Sequence, residues 1–164
     1  MPRSMPAQRP ATSEQSVATP TEFLKKVKEL LGIEDFSWDL AAEAHNSVAP
    51  NCRYFDEEQN SLIQPWHNIG GWCWLNPPFS DIKPWAMKAY EESRKGAKVA
   101  MLVPASTGSN WFREWVDGKA FVNLLNGRLT FVGHTSPYPK DCMLLLYSKY
   151  IRGGYYVWRW NEEE

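Results

Sequence analysis

The residues best suited to chemistry are Asn76-Pro77-Pro78-Phe79, which follow directly on the apolar run Trp72-Cys73-Trp74-Leu75. A polar amide, two rigid residues and a ring make a compact set for holding a flat nitrogenous group. The Asn76 side-chain oxygen can accept one hydrogen of an exocyclic amine, and the Pro77 carbonyl can accept the other. Proline fixes φ, so these acceptors stay aimed without an ordering cost at binding. Phe79 can stack on a base and exclude water. An aromatic amine is a poor nucleophile because its lone pair is delocalised into the ring. Two acceptors on its hydrogens favour the pyramidal state that attacks a methyl group, and they bind that state better than the flat one. Such a step needs neither a metal nor a covalent intermediate, and no metal is expected. The sequence has no HExxH, no cysteine knuckle and no Ser-His-Asp set with a nucleophile elbow. The plainer reading of the four residues is a turn that ends a strand.

The elements around this motif follow from periodicity and punctuation. Residues 1–18, rich in Ser, Pro, Gln and Arg without period, read as a flexible tail, and residues 19–164 as one domain. Thr19 is expected to cap a first helix, with Pro20 at its first position and Glu22 completing a capping box. Phe23, Val27, Leu30 and Leu31 would form its apolar face, and Gly32 its end. A short strand over roughly 36–40 follows, then an irregular stretch from Ala41 to Ile69 with a second short strand around 53–55. After the strand Trp72–Leu75, Ser80 is expected to cap a helix carrying Ile82, Ala86, Ala89 and Tyr90. Residues 97–103 are nearly continuously apolar, as in a parallel sheet. A short helix with Trp111, Phe112 and Trp115 precedes FVNLL and RLTFV, which flank Asn126-Gly127 as a hairpin would. CMLLLYS and YYVWRW are two further strands. Helices alternating with apolar strands predict an α/β fold, a mixed central sheet flanked by helices, with antiparallel edge strands added at the C-terminal end.

Composition narrows the function classes. The 164 residues carry 18 basic and 19 acidic side chains, a net charge of -1, so affinity for nucleic acid cannot rest on bulk charge. A 43% hydrophobic content is that of a globule. No apolar run is long enough to span a membrane and no secretory leader opens the chain, so no membrane partner is expected. Cys52, Cys73 and Cys142 make neither a disulfide framework nor a metal knuckle, which fits a reducing cytosol. Nine Trp serve core packing or a ligand that stacks on rings.

Several segments, taken in order, extend the motif. They are Thr19-Pro20, Trp38-Asp39-Leu40-Ala41-Ala42, Asn46, Tyr54-Phe55, Asn60-Ser61-Leu62 with Trp66, and Asn76-Pro77-Pro78-Phe79-Ser80. Leu102-Val103-Pro104-Ala105, Trp111-Phe112 and Gly127-Arg128-Leu129 with Phe131 complete the set. Over roughly residues 19–148 the chain resembles the phage-type DNA N6-adenine methyltransferases, the small Dam-like family of bacteriophages and prophages. The resemblance implies a Rossmann-like class I methyltransferase fold, S-adenosylmethionine as methyl donor, and adenine in double-stranded DNA as acceptor. It assigns catalysis to Asn76, Pro77, Pro78 and Phe79. It places Asp39 and Ala41 in the cofactor corner, where a carboxylate would meet the methionine ammonium, with Thr19 and Pro20 close by. The alternative for Asp39 is an ordinary cap on the next turn. Asp56, with Glu57, would hold the ribose hydroxyls, or else lies in a charged loop. Asn60 stands where many relatives carry an acid; an amide can still contact an adenine edge. The family also implies a phage or prophage protein working in the host cytoplasm.

Recognition of DNA is harder to place. Adenine inside a duplex must be turned out of the stack. Arg128, His134 and Lys140, with the loop Ser136-Pro137-Tyr138-Pro139, are the candidates for backbone or groove contact. Lys83, Lys88, Arg94, Lys95 and Lys98 are ordinarily solvated, with phosphate contact as the alternative. For Tyr155, Tyr156, Trp158 and Trp160 the readings are packing of an edge strand, contact with DNA or contact with a second subunit. With no length left for a recognition domain, loops, a homodimer or loose specificity would have to serve. Two other readings stay open: the same chemistry on RNA or a glutamine amide, and a non-catalytic binding module.

Overall fold

A computed structural model of the chain describes residues 18–162, and the tail expected over residues 1–18 lies outside these except for Ala18. The elements in chain order are α1 (Thr21–Leu31), β1 (Trp38–Asp39), two 3₁₀ turns (Ser61–Ile63 and Trp66–Asn68), β2 (Trp72–Leu75) and α2 (Lys83–Arg94). Then follow β3 (Lys98–Pro104), α3 (Asn110–Trp115), β4 (Phe121–Leu125), β5 (Cys142–Tyr147) and β6 (Gly154–Trp158). The fold is α/β, with one mixed six-stranded sheet in the order β1-β2-β3-β5-β4-β6.

β1, β2 and β3 are parallel. β5 runs antiparallel to both β3 and β4, while β6 is parallel to β4. The reversed strand is therefore interior, not at the edge as the sequence suggested. The apolar stretch of β3 serves two layers at once. Val99, Met101 and Val103 pack under α2 and α3 with Ala86, Ala89 and Phe112. Ala100 and Leu102 face the other side, with Phe23 and Val27 of α1, Leu129, Phe131 and Trp160. A strand covered on both faces needs no polar alternation.

Local starts and stops differ from expectation where tertiary contacts compete. Helix α1 begins after Pro20 without a side-chain cap, because the Thr19 hydroxyl is engaged elsewhere. Leu24 takes the inward place given to Leu30, which is 43% exposed. Gly32 ends α1 in the left-handed conformation at φ 69°. Ser80 caps nothing: Asp81 N–H donates to the Pro78 carbonyl in a turn, and α2 starts at Lys83 with Pro84 in its first turn. Ser109 does cap α3, accepting from Phe112 N–H. The Asn126-Gly127 hairpin does not form. β4 pairs with β5 and β6, and the stretch after Gly127 buries Leu129 and Phe131 as a non-strand segment. The strand expected around 53–55 is a single parallel bridge between Tyr54 and Asp39.

Candidate active site

Residue Asn76 leaves the sheet at the carboxyl end of β2, where open α/β sheets place ligands. Pro77 stops the strand, having no N–H to continue the ladder. The Asn76 amide nitrogen donates to the Thr19 hydroxyl over 3.3 Å, and Thr19 is itself buried. Its Oδ1 is buried and has no hydrogen-bond partner among the described residues. A buried acceptor left unsatisfied costs about 1–3 kcal/mol, so this atom gains from a donor that arrives with a ligand. The Pro78 carbonyl accepts from Asp81 N–H, whereas the Pro77 carbonyl accepts none of the backbone bonds formed by turns and loops. Phe79 is half-buried and packs against both core layers. Its ring meets Tyr138 edge-on at 5.8 Å, and Tyr138 meets Phe131 at 5.7 Å.

At the carboxyl end of β1, Asp39 is buried at 2% exposure. Its carboxylate accepts from Ala41 N–H at 3.2 Å and from Val48 N–H at 3.0 Å. Burial pushes its pKa up to about 7, against the opposing pull of those two bonds. The carboxylate does cap the following turn, and it keeps capacity for a cation, since two oxygens offer about four acceptor sites. Backbone bonds from Phe55 N–H to Asp39 O and from Ala42 N–H to Phe55 O bring the 55–60 loop beside it. Asp56, half-buried, exchanges hydrogen bonds with Gln59 at 2.9 Å in both directions. Asn60 is exposed, with a positive φ of 52°, at the start of a 3₁₀ turn. Pro20 is buried, next to Thr19.

The loop from Arg128 to Asp141 joins β4 to β5 at this same sheet edge, because Leu124 and Met143 are partners and Pro104 pairs with Cys142. Arg128, His134 and Lys140 are all exposed on it. Arg128 donates to Asp141 at 3.0 Å, so its charge is partly answered within the loop. Tyr138 N–H donates to Leu129 O at 2.7 Å and anchors the loop over Phe79. Two relationships were missed from sequence: the Thr19–Asn76 bond and the Tyr138–Phe79 contact. An aromatic held between Pro137 and Pro139 is the one signal that could have revealed the second. His67 is tied into the core layer: its ring and backbone nitrogens both meet Glu92, at 2.8 and 3.0 Å.

Comparison with known proteins turns this geometry into a family. The model described as "DNA N-6-adenine-methyltransferase (Dam)" matches residues 7–152. The chain belongs to the Dam family of DNA N-6-adenine-methyltransferases. Against the DNA N-6-adenine-methyltransferase of Haemophilus phage HP1 (strain HP1c1) it is 31% identical over 137 residues, covering 79% of this chain and 76% of the phage protein. Against the protein of the same description from Escherichia phage T1 it is 28% identical over 113 residues, covering 69% of this chain and 45% of that protein. No solved structure matches the chain. For the Dam family member described here, no helix among the described residues is long and apolar enough to cross a membrane.

Proposed function

We propose that this Dam family member transfers a methyl group from S-adenosylmethionine to the exocyclic N6 of adenine in double-stranded DNA, on a base turned out of the helix. Family membership supports methylation of DNA adenine. The observation that carries the detailed mechanism is the buried, unpartnered Oδ1 of Asn76 at the carboxyl end of β2. In this reading Asn76 Oδ1 accepts one amine hydrogen and the Pro77 carbonyl the other. Thr19 holds the Asn76 amide so that oxygen, not nitrogen, faces the base. Pro77 and Pro78 keep the acceptors rigid, and Phe79 stacks on the adenine. S-adenosylmethionine supplies the electrophilic methyl group. As the new nitrogen–carbon bond forms, the sulfur–carbon bond breaks, and the amine proton leaves to solvent.

Asp39 fits the donor's ammonium, being a buried carboxylate at the end of the neighbouring parallel strand. Ala41, Asp56, Asn60 and Pro20 complete that corner. Arg128, His134 and Lys140 meet the DNA backbone from the loop above Phe79. The parallel β1-β2-β3 set supports the Rossmann-like class I reading of the sheet. The phage relatives support action in the cytoplasm of a bacterial host. The test is transfer of labelled methyl to unmethylated duplex DNA, followed by digestion to nucleosides. Label in N6-methyladenine that disappears with Asn76→Ala supports the reading. Label found only in RNA or protein, or no label with donor bound, overturns it.

A further inference from the structure

The sheet edge opposite Asn76 carries a concave surface. Its position follows from register. Val99 pairs with Tyr147, and Phe121 pairs with both Leu146 and Gly154. The chain just beyond these pairs therefore converges at the amino ends of β3, β4 and β6. Arg94, Lys119, Lys149 and Arg152 line an open depression there of about 400 Å³, and no carboxylate lines it.

In a chain of net charge -1, four cations in one hollow are a local field that the overall balance conceals. Among the described residues none of the four pairs with a carboxylate. The Lys119 and Lys149 ammoniums lie instead over the rings of Tyr90 and Tyr150, at 5.5 and 5.3 Å. A ring face holds a cation without neutralising it. Of the acids two residues away, Asp117 accepts a hydrogen bond from the Tyr155 hydroxyl and Glu92 is engaged by His67. The wall is well defined: a Cβ at Gly153 would lie 2.9 Å from the Gly118 carbonyl carbon. This close approach seats the turn carrying Arg152 on the turn carrying Lys119.

We propose that this depression is a second phosphate-binding site, holding the backbone of a DNA segment other than the one that presents its base to Asn76. The inference rests on the function proposed above. The seven residues of β3 separate the two edges by roughly 20 Å, so a duplex of about one helical turn centred on the base at Asn76 ends short of the depression, and only a longer one supplies the second segment. The open shape suits a strand that enters and leaves, and Tyr150 at its rim is 76% exposed. Contacts to phosphate carry no sequence information, so the proposed site grips any sequence. It keeps the enzyme tethered to long DNA between target sites.

The test compares the unsubstituted protein, Lys149→Gln/Arg152→Gln, and a control of equal charge, Lys25→Gln/Lys28→Gln. Each is titrated with a long duplex at several salt concentrations. Methyl transfer is followed in parallel on a short duplex of about one helical turn, centred on the target adenine. The expected result is a loss of about tenfold in long-duplex affinity for the first variant alone. Its salt dependence should flatten by up to about two counterions, at about 0.9 per phosphate contact. Short-duplex methylation should match the unsubstituted protein. Unchanged long-duplex affinity and salt slope would overturn the proposal. So would a nucleoside triphosphate whose binding the variant abolishes while long-duplex affinity stays the same, since the site would then serve a small anion. The binding comparison needs no turnover. Absence of methyl transfer by the unsubstituted protein would count against the proposed function, not against the surface.

Discussion

Thr19 and Asn76, 57 positions apart in sequence, meet through a hydrogen bond of 3.3 Å in which the Asn76 amide donates to the threonine hydroxyl. The bond uses the nitrogen end of the amide and leaves Oδ1 buried without a partner among the described residues. In the proposed reaction Thr19 would act as a positioning residue for the Asn76 acceptor.

Substitution at this pair should separate the two roles. Asn76→Ala is expected to lower kcat by about 100-fold to 1,000-fold, the usual effect of deleting one preorganised transition-state group. Thr19→Val should lower kcat about tenfold with little change in KM for DNA, because the amide can then rotate. Thr19→Ser should restore it. Steady-state kinetics on duplex DNA check this; equal loss with serine would assign the effect to packing.

The raised pKa of Asp39 predicts a pH-dependent donor affinity. At about 7, this carboxyl is half protonated near neutrality. Only the ionised form attracts an ammonium, so S-adenosylmethionine should bind more tightly as pH rises through 7 and level off above it. Calorimetric titration across this range would show it, and Asp39→Asn should bind weakly at every pH. The same shift acts on folding with the opposite slope. Because the folded pKa exceeds the ordinary 3.8, the group's contribution favours folding below that value and is lost as pH rises to about 7.

Release of Arg128 should strengthen DNA binding. Its partner Asp141 is 67% exposed and Arg128 49% exposed, so the pair contributes at most about 1 kcal/mol to stability. Asp141→Asn is expected to leave the melting temperature nearly unchanged. It should raise duplex affinity several-fold at low salt and steepen the salt dependence. Arg128→Gln should do the reverse.

Glu92 is expected to matter for stability and not for chemistry. Burial pushes its carboxyl up, but hydrogen bonds from the His67 ring and backbone outweigh that and leave its pKa lowered. Its stabilisation is therefore complete above the ordinary glutamate range and fades as pH falls through the lowered value. Glu92→Ala removes charge-assisted bonds and should cost about 2 kcal/mol or more in a denaturant titration at neutral pH. Glu92→Gln should cost less, and kcat per folded molecule should be unaffected.

Much of the architecture was legible because local chemistry decided it. Pro77 had to end β2, Gly32 suited a left-handed helix end, and the run 97–103 was too apolar for anything but a covered strand. The motif's place at a carboxyl strand edge follows from those same stops. Contacts between distant segments were not legible. The hydroxyl of Thr19 had two outlets, its own helix N-terminus or Asn76, and only packing of α1 against the sheet chose between them. Asn126-Gly127 had the turn preference of a hairpin, yet β4 gained more by pairing with β5 and β6 while Leu129 and Phe131 filled the core. The basic residues scattered through the last two-thirds of the chain converge into one hollow because strand register brings their turns to a common edge. Stops, caps and apolar runs are fixed by each residue's own backbone and solvent preferences. Partner choice across the sheet depends on the summed burial of the whole chain, which no local window contains.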